Sequence, residues 1–403
     1  MRKIDLNNFQ VATTETVRDI NSRIMLNLVR KHQPVSRADL MRYSGLQRST
    51  VSAIAEQLIA ENWLKEGAVG DLPRGRKPIF LHLNTERCGI VGVDVQLAQT
   101  TIAVAGMDTH FLAQETMSTA KDPAEFIAQL SRRVIGLIKA HPRNSYEGIG
   151  VSLPGRIDAS SKRLIFAPAL GWRDLDLMTP LERATGLPVE LENAANACAL
   201  AELWSGRHTD GVRNLMAVTV SDGIGVGMIV NGQLMRGATG AAGEFGHVAQ
   251  MPGGPKCRCG KTGCWEALAS NYAAVRYYTE LASGRKGEAG SKNGNGKLTF
   301  GDILRLVEQN DARACKALNQ MAHQIGAGIA MLVTGLAPDV VVVVGEVTRV
   351  WDKVGPVVAE AVKQRAFAHV VTRILPTDPE AQPRLRGTIA LVLQNHFGAP
   401  LTA

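Results

Sequence analysis

Apolar side chains recur at helical spacing near the start of the chain. Val17, Ile20, Ile24 and Leu28 lie three or four residues apart, and Thr16-Val17-Arg18-Asp19 ahead of them has capping-box spacing. Together they predict a first helix ending near Lys31. Ser36-Arg37-Ala38-Asp39 opens a second, short helix that stops at Gly45. A third is predicted from about Arg48 to Glu61. Its set Val51, Ile54, Ala55 and Leu58 faces inward, and Gln47, Arg48, Ser49, Thr50 and Ser52 are displayed at or near its start. Two strand-like runs, 63–66 and 79–83, then flank a Gly/Pro-rich turn.

Beyond residue 85 the pattern changes to buried strands alternating with helices, the mark of an α/β body. Residues 88–95 read as a buried strand and 100–105 as its neighbour across a turn. A helix follows from about Asp122 to Ala140, then a strand running into 150–158, and later the apolar run Val340-Val341-Val342-Val343-Val344. The polar, Gly-rich stretch 283–297 reads as a flexible surface insertion. A length of 403 residues suggests two or three domains. The expected division is a domain over 1–84 and a two-lobed body over 85–403, with the lobes meeting near 197–210.

Charge sharpens the picture of the first domain. The chain carries a net +8, and residues 1–84 hold 13 Lys and Arg against 8 Asp and Glu, a net of +5. A basic end suggests a polyanion partner, although a solvated basic surface gives the same count. Helix, Gly-containing turn, then a helix with polar leading residues is the arrangement that puts a recognition helix into the major groove of double-stranded DNA. Arg48 can reach a guanine edge, and Ser49, Thr50 and Ser52 can reach bases or phosphates. The two following strands form a wing. Its tip carries Arg74, Gly75, Arg76 and Lys77, narrow enough for an A·T-rich minor groove. The competing, weaker reading of the tip alone is a solvated basic turn. The start has charge but no apolar signal core, and no run of about 18 apolar residues follows. The expectation is a cytoplasmic protein without a membrane segment.

Three of the six cysteines are clustered. Gly243-Glu244-Phe245-Gly246-His247 is followed, after nine residues, by Cys257-Arg258-Cys259-Gly260-Lys261-Thr262-Gly263-Cys264-Trp265-Glu266. Cysteines two and five apart, with Gly turns between and a His upstream, can offer three thiolates and an imidazole to a tetrahedral Zn²⁺. The candidate ligands are His247, Cys257, Cys259 and Cys264. Four protein ligands leave no position for water, so the metal is structural. The competing reading is a disulfide plus a loose thiol, which no secretory signal supports. Glu244 and Glu266 flank the cluster as hydrogen-bond acceptors for a polyhydroxylated ligand, or as groups that orient the zinc ligands. Cys88, Cys198 and Cys315 lie in apolar stretches and read as buried thiols.

The cysteine stretch resembles the signature of the ROK family, named for repressors, open reading frames and sugar kinases. The first domain is similar to the winged helix-turn-helix of the family's repressors, through Ser36-Arg37-Ala38-Asp39-Leu40, Thr50-Val51-Ser52 and Gly75-Arg76-Lys77-Pro78. Gln47 departs from the pattern, since relatives carry a capping Ser there. The resemblance implies a two-lobed, actin-like (ribonuclease H-like) sugar-kinase fold behind the DNA-binding domain. It implies sugar contacts at Gly155, Asn193, Glu244, His247 and Glu266. It also implies that three features of a kinase are changed. The first phosphate turn reads Asp94-Val95-Gln96-Leu97-Ala98-Gln99, without the family's glycines. Ala194 stands where kinases have the Asp that takes the sugar-hydroxyl proton. Glu346 replaces a glycine at the adenosine site. Ser221-Asp222-Gly223-Ile224-Gly225-Val226-Gly227 is retained, as a phosphate loop or a plain hairpin turn.

The expectation is a sugar-responsive DNA-binding regulator, acting as a repressor on an operator. Its zinc-stabilised domain binds a sugar or sugar derivative without phosphorylating it, and it assembles as a homodimer or homotetramer. The alternatives are an ATP-dependent sugar kinase carrying a DNA-binding domain, and an architectural DNA-binding protein whose body only oligomerises.

Overall fold

The computed structural model describes residues 13–69, 77–206, 211–283, 298–367 and 371–398. The first domain contains α1 (Thr14–His32), β1 (Val35–Ser36), α2 (Arg37–Ser44), α3 (Arg48–Ala60), β2 (Leu64–Val69) and β3 (Ile79–Leu83). The cap of α1 lies three residues earlier than the spacing predicts. Thr13 Oγ1 accepts from the Thr16 backbone N–H, and the Thr16 hydroxyl accepts from Thr13 N–H. Thr16 is therefore the far side of the box and not the cap, and Asp19 is free to pair with Arg23 one turn on. The second box is Ser36 with Asp39, and Gly45 ends α2 in the left-handed conformation that a Cβ disfavours. The three strands form one sheet in the order β1-β3-β2, so the expected wing is present as the antiparallel pair β2 and β3.

The first lobe runs through β4 (Gly89–Val95), β5 (Gln99–Ala105), β6 (Phe111–Ser118), α4 (Pro123–Ala140), β7 (Tyr146–Leu153), β8 (Arg156–Ile157), β9 (Leu164–Ala167), β10 (Trp172–Leu175), α5 (Met178–Thr185), β11 (Val189–Asn193) and α6 (Ala194–Ser205). The second lobe follows with β12 (Leu215–Val220), β13 (Ile224–Val230), β14 (Gln233–Leu234), α7 (Trp265–Ala269), α8 (Asn271–Ser283), α9 (Phe300–Glu308), α10 (Ala312–Leu336), β15 (Val340–Val344), α11 (Trp351–Arg365) and β16 (Arg373–Pro376). The last helix, α12 (Pro383–Phe397), returns to the first lobe.

The two five-stranded sheets share one plan. The first has the order β11-β7-β4-β5-β6 and the second β16-β15-β12-β13-β14. In each, an antiparallel three-strand meander extends from one edge, and two parallel strands are added on the other side. Between the sheets lie α6 and α12, in contact with each other and with both lobes. The approach is close enough to require glycine. A Cβ on Gly387 would lie 1.9 Å from Ala197 O, and one on Gly150 would lie 2.0 Å from Thr388 O. The core of the first domain is continuous with the body, because Leu26, Val29, Trp63 and Leu83 share one buried cluster with Ile90, Ile389, Leu393 and Phe397. Among the described residues, no helix is long and apolar enough to cross a membrane.

Candidate functional site

The cysteine-rich stretch folds as a knot tied to α10. Antiparallel bridges join Ala249 to Cys264 and Lys256 to Thr262. Gly263 has φ +70°, and a Cβ there would lie 1.8 Å from Met251 O, so the turn requires glycine on two counts. Trp265 is fully buried and donates through Nε1 to Gln324 O at 2.9 Å. This ring anchors the knot to the second lobe's core.

The ligand atoms of His247, Cys257, Cys259 and Cys264 all lie within 4.8 Å of one another. Cys257 Sγ stands 3.7 Å from His247 Nδ1, and Cys259 Sγ stands 3.7 Å from Cys264 Sγ. Zn–S bonds of about 2.3 Å at tetrahedral angles place sulfurs roughly 3.8 Å apart. The donor set and its spacing therefore fit Zn²⁺. The other ring nitrogen, His247 Nε2, faces Glu244 Oε2 at 3.7 Å, the outer carboxylate that commonly orients a metal-bound imidazole. Burial raises the Cys257 thiol well above its ordinary range, and nearby Cys259 and Glu266 act on it as well.

Glu266 joins this knot to the Gly-rich turn. Its Oε1 accepts from the Cys257 thiol at 3.4 Å and its Oε2 accepts from Ile224 N–H at 3.2 Å. The glycines of that turn serve packing. A Cβ on Gly227 would lie 2.1 Å from Ala195 O, and one on Gly225 2.9 Å from Ala195 Cβ, so the turn lets β13 press against α6.

Gly155 and Asn193 belong to the first lobe. They follow β7 and end β11, which are adjacent parallel strands. Gly155 has φ +116° and lies against Phe166 O, with no room for a Cβ. Asn193 caps α6, its Oδ1 accepting from Asn196 N–H at 2.8 Å. The helix cap thus uses one of the two lone pairs of that oxygen. Ala194 is the first residue of α6 and is half-buried. At the Asp94 turn, Gln96 Nε2 donates to Asp94 Oδ2 at 2.7 Å and Ser152 Oγ donates to Oδ1 at 2.9 Å, so chain groups satisfy the carboxylate.

At the DNA-binding end, Gln47 is the N-cap of α3 but makes no side-chain cap bond. Arg48 and Ser49 are exposed, and Thr50 and Ser52 are half-buried. Lys77 is exposed, whereas Arg74, Gly75 and Arg76 lie outside the described residues.

Sequence reasoning missed the joint between domains. Arg23 Nη1 donates to Asn395 O and Gly398 O, Asn27 Nδ2 to Phe397 O, and Arg30 Nη1 to Trp204 O. Trp204 and Phe397 meet edge to face. The sequence carries no local signal for these pairs, because their members lie 174 to 375 residues apart.

A family model described as "ROK family" matches residues 90–395. The chain belongs to the ROK family. The xylose repressor of Bacillus subtilis (strain 168) is 31% identical over 82% of this chain and 83% of its own length. The regulator NagC of Escherichia coli (strain K12) is 25% identical over 95% of this chain and 94% of its own. The crystal structure of a ROK family transcriptional regulator, a homologue of the E. coli MLC protein, superposes with a TM-score of 0.81 at 23% identity. It covers 95% of this chain and 98% of its own. This ROK protein thus shares the whole layout, first domain included, with the family's transcriptional regulators.

Proposed function

We propose that this protein is a sugar-responsive transcriptional repressor whose body is a receptor and not a kinase. One observation carries the reading. Helix α6 begins at the Asn193 cap with Ala194 where a kinase needs its base, and its last turn holds Trp204 against α1 of the DNA-binding domain. A methyl group cannot accept a proton, a role that contributes on the order of 10²–10⁴ in rate. The same element is well placed to report a bound ligand to the DNA-reading domain.

In this reading Asn193 Nδ2, Glu244, His247 and Glu266 bind the vicinal hydroxyls of a sugar, with Gly155 lining the first-lobe wall. A structural Zn²⁺ on His247, Cys257, Cys259 and Cys264 fixes the second-lobe half of the pocket. Once Cys257 holds the metal as a thiolate it no longer donates to Glu266, which frees Oε1 for the ligand. Gln47, Arg48, Ser49, Thr50 and Ser52 read the operator's major groove, and the wing tip Arg74, Gly75, Arg76 and Lys77 supports them from the minor groove. Two copies in a homodimer or homotetramer engage paired half-sites. Sugar-dependent movement of the lobes alters how both half-sites are reached.

The names of two relatives, the xylose repressor of Bacillus subtilis and an N-acetylglucosamine repressor of Escherichia coli, suggest xylose or N-acetylglucosamine as the effector. The test is operator binding by fluorescence anisotropy with D-xylose, N-acetylglucosamine and D-glucose, beside isothermal titration of wild type and Glu244→Ala. Operator affinity that shifts with one sugar, together with weaker titration by Glu244→Ala, supports the reading. Operator binding indifferent to all three, or titration unchanged by the substitution, sinks it.

A further inference from the structure

The segment from Arg236 to Gly243 belongs to the second lobe, but it is fastened to the first. It leaves β14 and closes on itself through Ala242 N–H donating to Arg236 O at 3.1 Å. Arg236 Nε donates to Glu192 Oε2 at 2.7 Å. Gly240, at φ +70°, lies so close to Ile157 that a Cβ would stand 1.9 Å from its carbonyl oxygen. The segment ends at Gly243 and leads directly into Glu244.

Glu192 is only 4% exposed. Its Oε1 accepts from Asn193 N–H and from Asn196 Nδ2, each at 2.9 Å, and its Oε2 takes the Arg236 guanidinium. One buried carboxylate thus holds the residue proposed to face the sugar, and a cation from the opposite lobe balances its charge. Beside it is a water-sized cavity of about 10 Å³ lined by Asp158, Lys162, Glu192, Asn196 and Arg236, where Asn196 Oδ1 has no partner. Removing the guanidinium leaves a buried anion with two neutral donors, the costly half of a broken ion pair. The anion relaxes by drawing in water or by swinging toward Lys162, which already pairs with Glu190 at 3.3 Å, and a swing of the carboxylate loosens its hold on the Asn193 N–H.

We infer that Arg236 is a positioning residue for the sugar pocket: from the second lobe it fixes Glu192, and through it the Asn193 corner of the first. The pair also ties the two lobes together. This inference rests on the sugar-receptor reading above.

The test is isothermal titration of the full-length protein with D-xylose, N-acetylglucosamine and D-glucose, comparing wild type, Arg236→Ala, Arg236→Gln and Arg236→Lys. Thermal midpoint and zinc content report folding separately. The expected result is a loss of sugar affinity of tenfold or more in Arg236→Ala and Arg236→Gln. Arg236→Lys, which keeps the charge but not the fork, recovers at least half of that loss on a logarithmic scale. If Arg236→Ala does not fold, Arg236→Gln is read in its place. Neutral variants that bind as wild type overturn the inference, and so does a lysine variant no better than the neutral ones. A wild type that binds none of the three sugars overturns the receptor reading itself, and this inference with it.

Discussion

The guanidinium of Arg30 lies 4.3 Å from the ring centroid of Trp204 and donates to that residue's carbonyl oxygen at 2.9 Å. Burial lowers the pKa of Arg30 from its ordinary value. The contact joins α1 of the DNA-binding domain to the last turn of the helix that begins at Asn193. If this joint transmits the sugar signal, Trp204→Ala and Arg30→Gln keep sugar affinity while the sugar-induced change in operator affinity shrinks on the order of 10-fold. That factor corresponds to about 1–2 kcal/mol of lost cation–π contact. Titration paired with operator anisotropy reads the two quantities apart, and a full-sized response in both variants removes α6 from the route.

Metal analysis should find one zinc per chain in wild type and none in Cys259→Ser. Loss of the metal unties the knot around Trp265, and a decrease of the thermal midpoint on the order of 5 °C is expected for a few kcal/mol in a body of this size. Cys315→Ser, distant in sequence from the four ligands, should retain its zinc. Zinc retained in full by Cys259→Ser would falsify the ligand set.

A carboxylate placed at position 194 alone should not create a kinase. Ala194→Asp supplies a carboxylate, but Asp94 remains engaged by Gln96 and Ser152 and its turn still lacks glycines that admit phosphate. A coupled ATP-consumption assay with D-glucose should show no turnover for wild type or variant. Turnover by wild type would favour the kinase reading.

Acid should loosen the joint between domains. Glu147 accepts from His396 at 3.0 Å and pairs with Arg87, whose guanidinium stacks 3.8 Å over Trp63. The His396 hydrogen bond, with Arg87 behind it, overcomes burial and holds the carboxyl at about 2, below its ordinary 4.5. A depressed folded-state pKa contributes stability that is fully present above about 4.5 and is lost as pH falls toward about 2. Thermal midpoints should therefore drop through that window, and Glu147→Gln should be less stable at neutral pH with a flatter acid limb. An equal acid limb in both proteins assigns the loss to other carboxylates.

Arg48→Ala should weaken operator binding by about 1–3 kcal/mol and relax selectivity at one base pair, as expected for a guanine contact. A loss that is uniform across sequences and reduces the salt dependence by about one unit reassigns Arg48 to a phosphate. Competition binding with single-base operator variants separates the two outcomes.

Much of this was legible in the sequence where the determinants are local. Ser36 and Asp39 sit three residues apart and form the predicted box, and Cys257, Cys259 and Cys264 converge because their short spacings leave them little choice. Thr13 escaped because its box partner is a second threonine and not an acidic residue. The Glu192–Arg236 and Arg30–Trp204 pairs escaped for a different reason. Each joins elements that meet only after both sheets have formed, and no periodicity in either segment anticipates the partner. The resemblance marked Asn193 as a ligand contact, but the commitment of its oxygen to the α6 cap is visible only in three dimensions.

The contacts of Arg23 and Asn27 with Asn395, Phe397 and Gly398 have a consequence for synthesis. Their partners emerge from the ribosome some 370 residues after α1. Until α12 emerges the first domain lacks this part of its docking surface, and the buried cluster that holds Leu26 and Val29 lacks Leu393 and Phe397. A nascent chain stalled before α12 therefore carries its first domain without the Arg23 and Asn27 part of the joint between domains.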